Sequence, residues 1–451
     1  MGWHELTPPR HPEVIVRAAS VDDVREAVML ARSRGLKVTA SAGALGWCGA
    51  PPRDGGMLID LSRVRLHRVN DGSATVQPGV TSHDLTRALA PYDHAFPVAH
   101  RGSVPLSGFV LGGGIGWNSR AWGPACAGLD AVEVVTASGE ILRCSEHENA
   151  DLLWAARGGG PGFFAAVTSL RLGLRHLPPA IMTTRYVFPL GDIGEIARWA
   201  DEVAAAVPAN VELSVALTTA DRAANGARSP RVVVVTATAF SCAWNEAIRC
   251  LEPLRDCPYG ERALVRQVDQ PTPFAVLFTG SDALWPPGRR AAADSLWLND
   301  GFGTLLPAIA RYAEHAPSAD SLVLAVLAPG GPGGALAPAM AFSPLGHIHL
   351  GCYAMWTDRT GDEANLAWLR EMVAAAEPFA AGHSVTGGAE AGETSEAGEA
   401  CLPAGNQVAG AGFPAGRARA HHSFTPAAWK RLQAVRARYD PDGLFDTYPQ
   451  P

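Results

Sequence analysis

The sequence has little of what marks a nucleic-acid or membrane protein. Charged residues make up 18% of its 451 positions, and 37 basic against 44 acidic side chains leave a net charge of −7. Without a basic excess there is no electrostatic footprint for nucleic acid or for an anionic lipid surface. No stretch of about 18 uninterrupted apolar residues occurs, so no transmembrane helix is expected. The opening residues lack a basic stretch followed by an apolar run, so a cytoplasmic protein without a secretory leader is expected. The eight cysteines (Cys48, Cys126, Cys144, Cys242, Cys250, Cys257, Cys352 and Cys401) contain no Cys-x-x-Cys pair. A chain of this length needs no disulfide staples, so free thiols and no metal centre are expected. There is also no His-Glu-x-x-His and no Ser-His-Asp arrangement in a recognisable local context. Glycine (48) and proline (35) stay below the share at which a whole chain is expected to be disordered.

What is present reads as layered α and β structure. Val14 to Arg17 is a short β-rich run. Ser20 then caps a helix with acidic residues in its first turn and apolar residues at Val21, Val24, Val28, Leu30 and Ala31. Gly35 ends that helix and Leu36 to Ala40 reads as the next strand. Further strands are expected at Met57 to Leu61, Ala74 to Val76, Val132 to Thr136 and Ala166 to Leu172, with a helix from Leu85 to Leu89 and a helical turn at Asp151 to Ala156. From about residue 176 the style changes. Ala-rich helices (Ile193 to Ala206, Asn245 to Leu254, Asn365 to Ala376) alternate with strands such as Val232 to Ala237 and His347 to Met355, which predicts helices on one face of a sheet. Ala328 to Ala339 reads as a loop. Ala380 to Ala420 has few large apolar residues and is expected to be mobile. A last helix begins at Thr425-Pro and stops at Asp440-Pro-Asp-Gly.

Four glycine-rich segments carry the chemistry: Ser41-Ala-Gly-Ala-Leu-Gly-Trp-Cys-Gly, Gln77-Pro-Gly-Val, Leu111-Gly-Gly-Gly-Ile-Gly-Trp-Asn-Ser-Arg-Ala-Trp-Gly and Arg157-Gly-Gly-Gly-Pro-Gly-Phe-Phe-Ala-Ala-Val-Thr. Glycine lets backbone amides approach an anion or a planar ring that a Cβ holds off. Taken alone, these runs fit tight turns as well. They are not a strand–G-x-G-x-x-G–helix fingerprint, because no convincing helix begins after Gly116.

In order and together, these segments resemble the berberine-bridge-enzyme-like flavoproteins of the vanillyl-alcohol-oxidase (p-cresol-methylhydroxylase) superfamily. Arg53-Asp-Gly-Gly-Met-Leu-Ile-Asp-Leu-Ser, Asp130-Ala-Val-Glu-Val-Val-Thr-Ala-Ser-Gly, Asp151-Leu-Leu-Trp-Ala-Ala-Arg-Gly-Gly-Gly and the closing Val435-Arg-Ala-Arg-Tyr-Asp-Pro-Asp-Gly-Leu-Phe carry the likeness further. It is close from about Pro12 to Leu174 and loose from about 176 to 424. The resemblance implies an α+β fold with a two-part FAD-binding domain, residues 1–175 plus the returning segment 425–451. The substrate domain, 176–424, would be inserted between the two parts, a sheet covered by helices with 380–420 flexible. It implies cofactor contacts from Gly43, Leu45, Gly46, Gly79, Arg101, Leu111, Gly112, Gly113, Gly114, Gly116, Gly123, Asp130, Val135 and Val167.

The resemblance also shows where this chain departs. The family tethers FAD through a His in the first glycine-rich loop, and Leu45 stands there. Many members add a Cys ten residues before the triple-glycine motif, where this chain has Arg101. Neither residue can form the bond, so noncovalent FAD is implied. Phe163, Ala165, Ala428, Ala42 and Ala44 replace polar residues or glycines of the family pattern. On the inserted sheet, period-two alternation puts His347, His349, Gly351, Tyr353 and Met355 on one face, and Tyr353 and His349 are the candidate proton acceptors. The expected activity is oxidation of a small organic or specialised-metabolite substrate on FAD, with O₂ as a possible acceptor. The alternative is a repurposed member catalysing a non-redox cyclisation or isomerisation, with FAD structural or absent.

Overall fold

The computed structural model describes residues 11–43, 55–220, 230–286, 288–329, 339–383 and 420–446. A three-stranded parallel sheet forms first, with Met57–Asp60 between Val14–Arg17 and Val38–Ser41. The helix Val21–Arg34 starts where the Ser20 hydroxyl accepts the Asp23 amide at 3.2 Å and the Asp23 carboxylate accepts the Ser20 amide at 3.0 Å. A further bond from the Ala19 amide holds the Asp23 carboxyl below its ordinary range. Gly35, at φ +67°, ends the helix in the left-handed conformation. Val24, Ala27, Val28 and Ala31 bury against Val38, Met57 and Ile59.

The other end of the chain joins this core. Phe445 bridges Val38 in parallel, and Leu444 and Phe445 are buried in the same cluster. The Asp440 carboxylate accepts the amides of Leu444 at 2.6 Å and Phe445 at 3.1 Å, although burial raises its pKa. The helix before it, Pro426–Tyr439, begins on the Thr425 hydroxyl and buries Leu432 and Val435.

A five-stranded antiparallel sheet follows in the order His67–Asn70, Ser73–Val76, Ala166–Gly173, Leu129–Val135, Ile141–Ser145. The segment between its second and third strands in that order carries the helices Ser82–Leu89 and Leu106–Leu111. The first helical element after Gly116 is a four-residue turn, Ser119–Trp122, entered through Asn118 at φ +59°.

The largest element is an eight-stranded sheet, in the order Val265–Pro271, Ala180–Pro189, Arg231–Ser241, Val211–Thr219, Leu322–Leu327, Ile348–Trp356, Arg290–Leu298, Ala380–His383. Its alternation is plain in Val211, Leu213, Val215 and Leu217, which face the helices Ile193–Ala206, Phe302–Glu314 and Asp362–Ala376. The whole is an α+β architecture, and among the described residues no helix is long and apolar enough to cross a membrane.

Three expectations change. The helix expected over Asn245 to Leu254 is two, Trp244–Cys250 and Glu252–Arg255, because Pro253 has no amide to continue the ladder. Ala380–His383, expected at the start of a mobile stretch, is an edge strand paired with Leu296, Trp297 and Leu298; small residues suffice where only one side of a strand is paired. Residues 384–419 lie outside the described residues. His347 precedes its strand and is exposed, so it does not share the buried face of His349.

Candidate active site between the sheet and the glycine-rich loops

The face of the eight-stranded sheet that the helices leave uncovered turns toward the first part of the chain. The register sets one row across it: Arg185, Thr236, Ser214, Val326, His349 and Trp297 are successive cross-strand partners. On the strand Ile348–Trp356, the residues Ile348, Leu350, Cys352, Ala354 and Trp356 enter the helix-side core. His349, Gly351, Tyr353 and Met355 therefore take the other face. Gly351 is required there, because a Cβ would fall into the Tyr353 ring, which lies back across it.

His349 is 3% exposed, and its Nε2 has no partner among the described residues. Burial pushes its pKa down to about 4, so the imidazole is neutral near pH 7. The Trp297 indole meets it edge-on, with ring centres 5.1 Å apart. Tyr353 is fully buried under the edge of Trp285, 4.8 Å between centres, and burial raises its pKa far above the phenol range. The two candidate proton acceptors thus share a face, but only the histidine is in its basic form.

The densest glycine run packs against this face. Gly113 and Gly114 have φ of +97° and +75°, and their carbonyls accept the amides of Cys126 at 2.9 Å and Ala125 at 2.8 Å. A Cβ on Gly116 would collide with the carbonyls of Pro97 and Val98; on Gly79 it would stand 2.7 Å from the Ser62 carbonyl. Among the described residues the amides of Gly114, Ile115 and Gly116 have no partner. Two buried polar atoms beside them, Trp117 Nε1 and Asn118 Oδ1, have none either. The loop is pinned to the sheet by Glu212, whose carboxylate meets His100 Nε2 at 2.7 Å and accepts the Asn118 amide at 3.3 Å.

A segment that sequence reasoning missed completes the junction. Met340, Ala341 and Phe342 leave the eight-stranded half and enter the core beneath the glycine run. The Ala341 amide donates to the Trp154 carbonyl at 3.2 Å and that of Phe342 to the Arg157 carbonyl at 3.0 Å. The Phe342 ring lies on Gly113, and its backbone lies on Gly158. The signal was half present, since Gly158 belongs to the fourth glycine segment, but its partner is far away in sequence.

Other expected site residues are dispersed. The Pro105 ring packs on Gly43, while Leu45 and Gly46 lie outside the described residues. Gly112 closes the helix Leu106–Leu111, with Leu111 packed on the core, and Gly123, at φ +84°, closes the turn Ser119–Trp122. Asp130 is exposed beside Gly173. Val135 belongs to the core of the parallel sheet, Val167 to the larger core across from it. Arg101 is half-buried, which disfavours its charge, and Asp282 opposes that shift. Phe163, Phe164 and Ala165 are all buried in the larger core.

Residues 12–145 match a family described as the FAD binding domain. An FAD-linked oxidoreductase of Penicillium janthinellum is 31% identical over 380 residues, 82% of each chain. The (R)-6-hydroxynicotine oxidase of Paenarthrobacter nicotinovorans is 33% identical over 171 residues, 38% of this chain and 37% of that one. Among solved structures, 6-hydroxy-D-nicotine oxidase from Arthrobacter nicotinovorans superposes with a TM-score of 0.81 at 21% identity, covering 100% of this chain and 94% of that one. A berberine-bridge-enzyme-like protein of Physcomitrella patens superposes at 0.79 and 15% identity, with the same coverage. The glycine-rich loops, the sheet they face and a relative that shares most of its length place the chain in the family of FAD-linked oxidoreductases, with the fold of the berberine-bridge-enzyme-like protein: it is an FAD-dependent oxidoreductase.

Proposed function

We propose that the chain oxidises a small organic substrate, of the specialised-metabolite kind, on noncovalently held FAD, with O₂ taking the electrons. Residues 1–175 and 425–451 form the cofactor domain in this reading, and 176–424 the substrate domain. The observation that carries the noncovalent assignment is the side chain at each tether position. Leu45 offers no nucleophile, and Arg101 offers only a guanidinium that stays protonated. Among the described residues the cysteines nearest the glycine-rich core do not replace them: burial holds the thiols of Cys126 and Cys144 protonated, that of Cys144 pushed up to about 12. Six free cysteines among the described residues accord with a cytoplasmic site of action.

The residues present fit FAD on two observations: the unpaired amides of Gly114 to Gly116, and the orphaned Trp117 Nε1 and Asn118 Oδ1. These atoms would hold it, with Gly43, Gly79, Gly112, Gly113 and Gly123 shaping the backbone around them. Bound there, FAD supplies a two-electron acceptor. His349, neutral and unpaired, receives the proton of the substrate hydroxyl or amine. Tyr353 stays protonated and orients the substrate. Turnover is accordingly expected to show no rise toward pH ~10 that Tyr353→Phe removes; a rise of that kind, measured in a pH–rate profile, makes Tyr353 the base instead.

Acid precipitation tests the attachment. The yellow colour is expected to pass to the supernatant, and colour held in the pellet refutes the noncovalent reading. One observation favours the non-redox alternative: Phe342 and Pro105 already cover three of the glycines, Gly113, Gly158 and Gly43. A colourless protein that takes up no added FAD selects it.

A further inference from the structure

The row across the uncovered sheet face holds three polar side chains without a partner among the described residues. Arg185 is half-buried and, among the described residues, makes no hydrogen bond or ion pair, and no acidic group of theirs offsets the burial that disfavours its charge. Thr236, its cross-strand partner, and Ser214, the partner of Thr236, are likewise half-buried with unpaired hydroxyls. The neighbouring rows differ. On one side Thr183 bonds Thr238 at 3.0 Å and Thr272 at 2.7 Å, and Glu212 is taken by His100. On the other, Val187, Val234 and Ala216 form a small apolar cluster. Other arginines on or against this sheet are capped: Arg120 by the Pro208 and Val211 carbonyls, Arg231 by those of Ser318 and Ser321, Arg290 by Asp362.

A guanidinium drawn out of water without a counter-charge is costly to keep, and a bidentate carboxylate with two hydroxyls beside it is the group that offsets that cost. We infer that Arg185, flanked by Thr236 and Ser214, recognises a carboxylate on the substrate, at the end remote from His349. Arg185 stands four strand spacings from His349 along the row, about 19 Å between backbones. The substrate is therefore an elongated hydroxy or amino acid whose carboxylate lies far from the oxidised carbon. This rests on the oxidase reading only for what happens at the His349 end.

The test is calorimetric, with 12-hydroxydodecanoate and its methyl ester as probes for the purified full chain. The acid is expected to bind at least about tenfold tighter than the ester (~1.4 kcal/mol). Arg185→Gln is expected to erase that preference while leaving ester affinity and the melting temperature unchanged, and Arg185→Lys to keep part of it. Equal binding of acid and ester to the unmodified chain overturns the inference, as does a preference that survives Arg185→Gln. Should Arg185→Gln not fold, Arg185→Lys decides: an acid preference smaller than that of the unmodified chain supports the inference, and an undiminished one overturns it. A colourless protein that still prefers the acid leaves this inference standing and removes the oxidase; a yellow protein without the preference does the reverse.

Discussion

Replacing Gly158 by alanine is expected to lower the apparent melting temperature by about 5–10 °C, and removing the Phe342 ring will not restore it. Gly158 sits at φ +100°, where a side chain costs about 1–3 kcal/mol, and its Cβ would stand 2.6 Å from both the amide nitrogen and the Cα of Phe342. Those are backbone atoms, fixed by the bond from the Phe342 amide to Arg157, and overpacking them adds about 1–3 kcal/mol. Gly113→Ala supplies the contrast. It too is strained at φ +97°, but its Cβ meets the Phe342 ring edge, which can be deleted. Phe342→Ala alone opens a buried cavity at a cost of about 3–5 kcal/mol. In double-mutant cycles read by denaturant midpoints, Phe342→Ala is expected to couple favourably with Gly113→Ala by about 1–3 kcal/mol and not at all with Gly158→Ala. Equal coupling for both glycines means that the segment around Phe342 is not anchored where its hydrogen bonds put it.

That junction also marks the limit of what the sequence makes legible. Ser20, Asp23 and Gly35 announce their helix because every interaction that starts or stops it lies within five residues, and the helix follows at Val21–Arg34. The alternation from His349 to Met355 likewise reveals a two-faced strand, since the pleat is a local rule. Nothing local tells that Phe342 rests on Gly113 and Gly158, or that Trp297 closes over His349. Those contacts join positions roughly 50 to 230 residues apart, through sheet register and chain return. Composition misleads at Ala380–His383, where small residues suggest mobility although the strand pairs with Leu296, Trp297 and Leu298 and His383 meets the Glu377 carboxylate at 3.0 Å. Arg185 sits in a β-rich run and looks like any exposed position until the register puts it beside Thr236 and Ser214. The family was readable because its glycine loops are contiguous in sequence, whereas the substrate face is assembled from strands distant from one another.

His349→Ala is expected to cut turnover by about 100-fold while leaving the bound-flavin spectrum in place, the loss typical of a deleted general base. The same side chain gives an independent signal in stability. Its pKa is 6.5 when unfolded and about 4 in the fold, because the buried ring cannot take up a charge. Above pH ~6.5 both states hold neutral histidine and the term is constant. As the pH falls toward the folded value, the unfolded chain binds the proton first, so stability drops, by about 3 kcal/mol once both values are passed. His349→Leu removes that loss, and its melting temperature is expected to fall less steeply than that of the unmodified chain between pH ~6.5 and ~4. Parallel melting profiles for the two proteins mean that the imidazole takes up its proton within the fold, hence that water or a counter-charge reaches Nε2. In that case the neutral, ready acceptor on which the catalytic assignment depends does not exist.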